Sequence, residues 1–530
     1  MRRLTDIQLL LVDCQTTGAT PSHGQIIELG WSRFRAADPL PDLEATESLG
    51  RLVALPDEET VPRRVGRLTG ITDEMLVGAD PIAAVWDGFC RAAAEADQLA
   101  AHYARFEQKF LRAAGEAHGG VDAPDELLCT HAIATRLYPG LPRRGLRALA
   151  GFFGHPVDQP NRAGAHVRAT AAIWQRLVAE LDDRLDITTL DALGDWLDRP
   201  TETTDGATYA IDRDRRLALP DEPGVYRLLG ADDRVLYVGK ATSLRSRVNQ
   251  YFQTRRGLSN RKLELVTQVH DVAVRPTATP LEAALLESDR IKEHAPPYNR
   301  ALKLGGRSLD RSEHELPARP APLPGPLVTI LASSSTFARL VDERDAAEVD
   351  AGLGSFTDAH GIDRTTTDDD LARLGLDLWM KRLAVKERDE QEEADDTDEE
   401  RPVPDILASI LRRAAARRRR ARWLDRLTGA ALAWRPDIWP ADTDTWRFVG
   451  LADAEIDEVA TLEDAPAARR RVLAWSTTAP PVETVADYDR LRVLTTELRR
   501  LIRQERPVVL RTADGTVFER LGLQTCLELV

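Results

Sequence analysis

The sequence predicts a multidomain protein of mixed α/β and α+β class that ends in a mostly helical C-terminal region. Three observations predict this class. The chain has 530 residues, more than one hydrophobic core usually organises. Apolar runs of strand length alternate with helical patterns up to about residue 303. A proline-rich stretch then separates those patterns from a region in which helical periodicity dominates.

The N-terminal region reads as a layered α/β domain over residues 1–185. Two apolar runs, at residues 7–12 and 26–34, predict buried strands. Helical patterns follow at 81–96, 107–116, 128–137, 145–153 and 163–181. We expect the next segment, residues 186–207, to be a polar linker helix and a linker.

A second, smaller α/β domain is predicted over residues 208–303. The runs Val225–Leu229 and Val235–Val238 flank a Gly-Ala-Asp-Asp turn, which is typical of a hairpin. Such a hairpin can bring Tyr226 and Tyr237 together on one face. Thr242 or Ser243 is expected to cap the next helix, and Thr279-Pro280-Leu281-Glu282 has the pattern of a capping box with proline at the first helical position.

The C-terminal part is the least informative in sequence. Residues 304–326 predict a stiff proline-rich spacer, followed by a region of unknown function over 327–530. Within that region Leu327–Leu331 suggests a strand, and residues 386–400 form an acidic run without apolar periodicity. Residues 406–427 form an arginine-rich helix, for which phosphate binding and a solvated basic face paired with acidic groups are equally favoured.

Composition restricts the function classes. The net charge of −15 repels nucleic acid, so a nucleic-acid enzyme of this composition must concentrate its basic groups locally. Such a local concentration occurs in the second domain, at Lys240, Arg245, Arg247, Arg255, Arg256, Arg261 and Lys262. The four cysteines are scattered, which argues against a disulfide framework, structural zinc or an iron–sulfur cluster and favours a reducing cytoplasm. No stretch reaches membrane-spanning length, so no membrane partner is expected.

Several separated motifs of the second domain occur in the order of one known family. They are Pro223 to Tyr226, Tyr237 to Ala241, Leu244 to Arg247, Tyr251-Phe252, Leu281 to Glu287, Ile291-Lys292 and Pro297 to Asn299. This stretch resembles the GIY-YIG nuclease domain, in the variant found in the excision-repair nuclease UvrC and its relative Cho. The resemblance implies hydrolysis of DNA phosphodiesters with one divalent metal, Mg²⁺ or Mn²⁺, held by a glutamate.

Two glutamates compete for the metal. Glu282 occupies the third helical position, where a carboxylate is best used for capping. The resemblance therefore assigns the metal to Glu287. It also makes Tyr237 the preferred general base with Tyr226 as the alternative, since a phenol near a cation can act near neutral pH.

The resemblance assigns the remaining site residues as follows. Lys240 would lower the pKa of the phenol, Arg247 would bind the phosphate, and Asn299 would organise the surroundings of the metal or of the scissile bond. Further DNA contacts are expected from Arg245, Tyr251, Arg255, Arg256 and Lys262.

The N-terminal region resembles the DnaQ-like (DEDD) 3′–5′ exonucleases of the ribonuclease-H-like fold. The matching pieces include Thr16 to Gly18, Ile26 to Gly30, Leu68 to Ile71, Ala101-His102 and Arg162-Ala163. The catalytic positions of the family are altered, however. Its first motif, Asp-any-Glu, is Asp13-Cys14-Gln15; the aspartate of its second is Glu107; and the histidine and aspartate of its third are Asn161 and His166.

These changes predict that ordinary two-metal exonuclease activity is lost. Asp13 and Glu107 would leave about half of the charge of two divalent ions uncompensated. Magnesium disfavours an imidazole ligand such as His166, and Asn161 cannot accept a proton as a histidine does. A rearranged one-metal site of Asp13, Glu107 and His166 is the alternative. We favour a retained, non-catalytic fold that binds DNA or a partner.

The expected function is a structure- or damage-specific, metal-dependent DNA endonuclease that makes single-strand incisions in DNA repair. The expected partners are DNA and components of excision repair or of a polymerase. Two alternatives remain open. One is a dual nuclease whose N-terminal domain retains 3′–5′ exonuclease activity, and the other is a non-enzymatic DNA-binding or recruiting factor.

Overall fold

A computed structural model describes residues 2–42, 49–56, 59–120, 127–157, 161–200, 206–253, 258–303, 323–386, 402–436, 444–452, 454–477, 482 and 484–528. The chain divides into two compact units, residues 1–283 with 296–300 and residues 284–295 with 301–530. Within the described residues, no helix combines the length and the apolar character that crossing a membrane requires.

The first unit begins with a five-stranded sheet and its covering helices. In chain order the elements are β1 (Leu9–Thr16), β2 (Ile26–Phe34), β3 (Arg51–Leu52), α1 (Arg63–Thr69), α2 (Asp73–Leu76), α3 (Ile82–Ala93), β4 (Gln98–Ala101), α4 (Arg105–His118), β5 (Leu128–Cys129), α5 (Thr130–Leu137), α6 (Leu146–Phe152), α7 (Ala163–Leu185) and α8 (Leu190–Asp198). The sheet order is β3-β2-β1-β4-β5. β1 pairs antiparallel with β2 and parallel with β4, which is the mixed sheet of a ribonuclease-H-like exonuclease fold.

The apolar run of β1 is continuous because both of its faces are covered. Leu9 and Leu11 belong to the core that includes α7, whereas Leu10 and Val12 belong to the core that includes α3 and α4. Successive side chains of a strand point to opposite faces, so alternate residues of the run belong to separate cores. This central strand ends next to the pocket described below.

The helix expected in the linker is part of the exonuclease-like domain instead. Thr189 caps α8 by accepting a hydrogen bond from the Ala192 amide. Leu193 is buried in the same core as β1, and Trp196 packs against it. The polar sequence concealed this role because only one face of the helix is apolar.

The smaller domain contains α9 (Arg213–Leu217), β6 (Gly224–Leu229), β7 (Val235–Ala241), α10 (Leu244–Gln253), α11 (Asn260–Gln268), β8 (Asp271–Pro276) and α12 (Pro280–His294). Its three strands are antiparallel in the order β7-β6-β8, so β7 is an edge strand. The boundary between the two compact units passes through α12, after Ala283.

The second unit contains helices followed by a second five-stranded sheet. Its elements are α13 (Gly325–Ala332), α14 (Ser335–Glu343), α15 (Ala346–His360), α16 (Asp368–Lys386), α17 (Val403–Leu427), β9 (Ala431–Trp434), β10 (Trp446–Ala452), β11 (Glu455–Leu462), α18 (Ala465–Ala474), α19 (Val485–Arg503), β12 (Val508–Arg511), β13 (Val517–Glu519) and α20 (Arg520–Glu528). The sheet order is β11-β10-β9-β12-β13, and its pairs are antiparallel.

Two predictions for this region need correction. Leu327–Leu331 lies in helix α13 and is not a strand, because Leu327 and Leu331 are four residues apart and bury one helical face. The proline spacer ends earlier than residue 326, since Pro326 occupies the first turn of α13, where proline is tolerated. Residues 304–322 of the spacer and 387–400 of the acidic run lie outside the described residues.

The arginine-rich helix α17 is paired with acidic side chains of its own unit. Arg418 lies 3.2 Å from Asp369, Arg422 lies 3.0 Å from the same carboxylate, and Arg426 lies 2.7 Å from Asp514. The partners therefore come from α16 and from the turn between β12 and β13. These contacts favour the interpretation of a solvated basic face over that of a phosphate-binding helix.

Candidate active site

The hairpin of the smaller domain places its aromatic residues as the sequence predicted. The β6–β7 register aligns Tyr226 with Gly239 and Leu228 with Tyr237, so the two tyrosines are diagonal neighbours. Their ring centroids are 6.1 Å apart. Ser243 caps α10, because its hydroxyl accepts a hydrogen bond from the Ser246 amide at 3.2 Å. This cap fixes the start of the helix that carries Tyr251 and Arg247.

Tyr251 completes a cluster of three tyrosines. Its ring centroid lies 6.2 Å from that of Tyr226 and 6.2 Å from that of Tyr237. The hydroxyls of Tyr226 and Tyr251 are 3.0 Å apart, and Arg247 lies 5.7 Å from the centre of the Tyr251 ring. Three phenols and one guanidinium are therefore gathered at one place. Phosphoryl oxygens are well matched by such a guanidinium.

The two candidate bases differ in environment. Tyr226 is 1% exposed, whereas Tyr237 is half-buried. Burial, and then the neighbouring phenols of Tyr251 and Tyr237, raise the pKa of Tyr226 well above its ordinary value. A general base must lose its proton near the working pH. The environment therefore disfavours Tyr226 and leaves Tyr237 as the better candidate.

The predicted cations lie on the surface of this domain. Lys240, Arg247, Arg245 and Lys262 are all exposed. Arg245 forms an ion pair with Asp221, so part of its charge is already balanced. Arg255 and Arg256 lie outside the described residues.

The assignment of Tyr251 to DNA contact is not supported by its position. Its side chain is 8% exposed, and its hydroxyl is bonded to that of Tyr226. Its ring lies in the core of the domain with Val248 and Phe252. Tyr251 therefore packs behind the site and does not present a face to a ligand.

The capping box separates the two candidate metal ligands. The Glu282 amide donates to the Thr279 hydroxyl at 3.3 Å, and that hydroxyl lies 3.2 Å from the Glu282 carboxylate. Glu282 is thus engaged at the start of α12. Glu287 is half-buried further along the same helix, in the part that belongs to the second unit. Glu282 is the weaker candidate for a metal ligand on this ground.

The segment of α12 around Glu287 is firmly held within the second unit. Arg490 donates to one oxygen of Asp289 through Nε at 3.2 Å and through Nη2 at 3.0 Å. Lys292 lies 3.9 Å from Asp489, and both side chains are almost fully buried. Asp289 and Lys292 lie within about one and a half helical turns after Glu287, so these pairs restrict rotation of this part of the helix.

Asn299 holds the edge strand that carries Tyr237. Its side-chain carbonyl accepts a hydrogen bond from the Val238 amide at 2.9 Å, and its amide donates to the Val238 carbonyl at 2.9 Å. Asn299 is 8% exposed. Both of its functional groups are therefore used to satisfy the free edge of β7, directly between Tyr237 and Gly239.

The altered exonuclease positions meet in one pocket of about 500 Å³ at the end of β1. Asp13, Gln15, Glu107, Asn161 and His166 all line it. Both Asp13 oxygens are occupied by side chains: Gln15 donates to Oδ2 at 2.8 Å, and Nδ1 of His166 lies 3.0 Å from Oδ1. The aspartate that the family pattern retains is thus bonded to the residues that replace its missing partners.

Glu107 and Asn161 occupy different environments in the pocket. Burial, and then the charge of Asp13, raise the pKa of Glu107, which favours its neutral form. Its Oε2 atom is buried without a hydrogen-bond partner. Asn161 donates to the Leu68 carbonyl. Nowhere in the described part of the chain do three or more histidine, cysteine, aspartate or glutamate side chains form a group that could hold a metal.

The scaffold of this pocket is intact. The buried Glu28 accepts hydrogen bonds from Arg162 at 2.7 and 3.0 Å and from the Ala163 amide at 2.8 Å. These bonds join β2 to the start of α7, which carries His166. These bonds anchor the start of α7 to the sheet next to the pocket.

An aromatic pair at the edge of the pocket was not anticipated. Tyr103 lines the pocket, is 48% exposed and has a φ of 67°, in the left-handed region that tyrosine rarely adopts. Its ring stacks on His131 with centroids 3.9 Å apart and planes at 24°. His102, which is bonded to Thr130 and to the Arg144 carbonyl, lies edge-on to both rings. Only the position of Tyr103 directly after the matching Ala101-His102 motif could have signalled it.

Comparison with known proteins identifies both domains. Residues 222–300 match the sequence profile of the UvrC-like GIY-YIG domain. They are a UvrC-like GIY-YIG domain. Residues 10–173 match the profile of an exonuclease family, which agrees with the ribonuclease-H-like sheet described above. The chain therefore combines a GIY-YIG domain with an exonuclease-family domain.

Two curated relatives illustrate the extent of the similarity. A protein of Mycobacterium tuberculosis, provisionally named a bifunctional exonuclease/endonuclease, is 32% identical over 312 residues, which are 57% of this chain and 45% of that protein. The UvrABC system protein C of Aromatoleum aromaticum is 53% identical over 81 residues, which are 15% of this chain and 13% of that protein. The chain thus spans less than half the length of either relative, and the second match is confined to the GIY-YIG domain.

Solved structures resemble single domains of the chain. The GIY-YIG domain of UvrC from Thermotoga maritima, bound to magnesium as its catalytic divalent cation, is 27% identical and covers 17% of this chain and 94% of that one, with a TM-score of 0.15. Exonuclease X in complex with DNA is 20% identical and covers 36% of this chain and 99% of that one, with a TM-score of 0.25.

Proposed function

We propose that the chain is a metal-dependent DNA endonuclease of the cytoplasm that makes single-strand incisions in DNA repair through its GIY-YIG domain. The observation that carries this proposal is the cluster of Tyr226, Tyr237 and Tyr251 with Arg247, together with the engagement of Glu282 in the helix cap. The resemblance to the UvrC-like domain assigns one divalent ion, Mg²⁺ or Mn²⁺, to Glu287 of the same helix.

The donor set suits one ion held by one protein ligand. Magnesium commonly keeps several waters and binds through one or two carboxylates plus substrate phosphates. A site of this kind would use Glu287, water and the phosphate of the DNA. When bound, the ion would supply charge neutralisation and Lewis-acid assistance at the phosphate.

Proton transfer and phosphate binding are assigned to side chains of this chain. Tyr237, half-buried beside the buried Tyr226, would take the proton of the attacking water through its phenolic oxygen. The exposed Lys240 on the same strand would favour the phenolate, because a nearby cation lowers the pKa of a phenol. Arg247 would bind the non-bridging oxygens of the phosphate as negative charge develops on them.

The decisive experiment compares Glu287→Gln with Glu282→Gln. The full chain is assayed with Mg²⁺ or Mn²⁺ on end-labelled duplexes that are intact, lesion-bearing, flapped or mismatched. We expect Glu287→Gln to lower the single-turnover cleavage rate by about 10²-fold or more, since the charge of the metal ligand is lost. Glu282→Gln is a matched control that removes the same charge from the same helix and should cut normally. Equal cutting by wild type and Glu287→Gln would remove this centre from the reaction.

We propose further that the exonuclease-family domain binds nucleic acid without cutting it. The stacked pair of Tyr103 and His131 offers an exposed aromatic face at the edge of the pocket, and aromatic faces stack on bases irrespective of sequence. Burial, and then the charges of Arg144 and Arg143, lower the pKa of His131, which keeps its ring neutral at pH 7. The bonded state of Asp13 argues against the dual-nuclease alternative.

The binding proposal is tested with a fluorescent single-stranded oligonucleotide in EDTA. Tyr103→Ala should weaken binding by about five- to a hundredfold, the range of one lost base–aromatic stack, whereas Tyr103→Phe should bind as wild type does. A 3′-labelled strand incubated with Mg²⁺ or Mn²⁺ and the Glu287→Gln chain should keep its length. Stepwise shortening of that strand would restore the dual-nuclease alternative.

A further inference from the structure

The exonuclease-family domain contacts the GIY-YIG domain inside the first compact unit. Helix α6 of the former packs on helix α11 of the latter. The Arg143 amide donates to Thr267 Oγ1 at 3.1 Å, and the Phe152 carbonyl lies 2.8 Å from Nε2 of His270. A methyl group at Gly151 would come within 1.9 Å of the Gln268 side chain. The two helices are therefore in close contact at Gly151, where any side chain would require Gln268 to move.

Arg147 on α6 reaches the residues that hold β7. Its guanidinium lies 3.3 Å from the Glu264 carboxylate and 5.9 Å from the centre of the Tyr298 ring. The Tyr298 hydroxyl donates to the same Glu264 oxygen at 2.7 Å. Arg261 lies 5.2 Å from the centre of that ring. The Tyr298 side chain, which is 6% exposed, is thus held by α11 together with one arginine from the other domain.

Tyr298 is connected in turn to the strand that carries the catalytic candidates. Its amide donates to the Leu236 carbonyl at 3.1 Å, and the next residue, Asn299, bonds to both backbone groups of Val238. Tyr298 and Asn299 therefore form a bracket along the free edge of β7. Tyr237 lies between the two anchored residues of the strand, and Lys240 follows two residues later.

We propose that Arg147 is a positioning residue, through which the exonuclease-family domain holds the Tyr298–Asn299 bracket and thereby fixes β7 in the geometry required for DNA cleavage. This inference rests on the proposed endonuclease function. It gives the exonuclease-family domain a role that needs neither a metal nor the pocket residues Asp13 and Glu107. Arg147 does not touch the reacting atoms and acts only through Tyr298 and Asn299.

The test uses the full chain with Arg147→Ala, Arg147→Lys and, as a matched control, Arg91→Ala, which removes an exposed arginine of α3 in the same domain. Cleavage kinetics separate kcat from KM. Hydrogen exchange of the segment 236–239 reports on the Val238 amide without requiring activity. The control shows what the loss of one exposed arginine does by itself.

We expect Arg147→Ala to lower kcat about three- to tenfold at unchanged KM, the scale of one partly buried ion pair with its ring contact. Exchange of the segment 236–239 should become faster. Arg147→Lys should recover part of kcat because the ion pair with Glu264 can re-form. Arg91→Ala should change neither kcat nor the hydrogen exchange of residues 236–239. A Gly151→Ala variant displaces the Gln268 side chain between α6 and α11 without altering charge and should act in the same direction.

Two results distinguish failure of the positioning role from failure of the proposed endonuclease function. If wild type cuts DNA and Arg147→Ala shows both wild-type kcat and wild-type exchange at 236–239, the positioning role is overturned. If wild type does not cut any of the duplexes, the proposed endonuclease function fails, and the exchange comparison alone decides whether Arg147 holds β7. Faster exchange throughout residues 9–185 in Arg147→Ala would show general unfolding, and Gly151→Ala then decides in its place.

Discussion

Replacing each tyrosine of the cluster by phenylalanine distinguishes the general base from its neighbours. Tyr226→Phe removes one hydroxyl that lies 3.0 Å from that of Tyr251 in a buried setting. The net contribution of such a neutral hydrogen bond is about 0.5–1.5 kcal/mol. If all of this free energy were lost from the transition state, the cleavage rate would fall about two- to twelvefold. Tyr251→Phe breaks the same bond and should give a similar loss.

Tyr237→Phe should have a much larger effect. Loss of a general base costs about 10²–10⁴ in rate, so the two effects do not overlap. The pKa of Tyr226 is raised by burial and by the other two phenols. At pH 8 even an unperturbed phenol of pKa about 10 is ionised in only about one molecule in a hundred. A raised pKa lowers that fraction further, so Tyr226 is poorly suited to accept the proton.

The assay is single-turnover cleavage of a labelled duplex by the full chain at saturating Mg²⁺ between pH 7 and pH 9. The predicted order of rates is wild type, then Tyr226→Phe and Tyr251→Phe together, and Tyr237→Phe far below. A loss of 10²-fold or more in Tyr226→Phe, with Tyr237→Phe near wild type, would refute the reasoning from burial and reverse the assignment.

Two further predictions concern stability. Burial, and then the charge of His131, lower the pKa of His102 from 6.5 to about 3. Below pH 6.5 the unfolded chain therefore takes up a proton at this residue that the folded chain does not. The free energy of unfolding should fall by about 1.4 kcal/mol for each pH unit of acidification. The stability difference between wild type and His102→Gln, followed by urea unfolding at pH 7 and pH 5, should shrink towards the lower pH; a constant difference would show that His102 is not held neutral. Thr279→Ala removes the N-cap of α12 and should lower the stability of this helix by about 1 kcal/mol. The loss is measurable as faster hydrogen exchange in residues 280–286, with Thr277→Ala as a comparison. Unchanged exchange in Thr279→Ala would contradict the cap.

The parts of the molecule that were predictable are those set by short-range patterns. The hairpin of Tyr226 and Tyr237, the Ser243 cap and the Thr279–Glu282 capping box each depend on residues within about one or two turns of chain. The two faces of β1 could also be expected, since a continuous apolar run implies cover on both sides.

The parts that escaped prediction depend on contacts between distant residues. The Asn299 side chain bonds to the backbone of Val238, and Arg147 pairs with Glu264 across the domain boundary. No periodicity in the sequence encodes either contact. The Leu327–Leu331 run was ambiguous because a short apolar segment fits a strand and a buried helix equally well.

The central claim is that one GIY-YIG centre cuts one DNA strand with the help of a metal held by Glu287. Its most direct test is a supercoiled plasmid that carries lesions, incubated with the full chain and Mg²⁺ and then resolved by gel electrophoresis. The account predicts relaxed circles without linear product for wild type, supercoiled plasmid for Glu287→Gln, and no relaxation in EDTA. Relaxation by Glu287→Gln at the wild-type rate would contradict it.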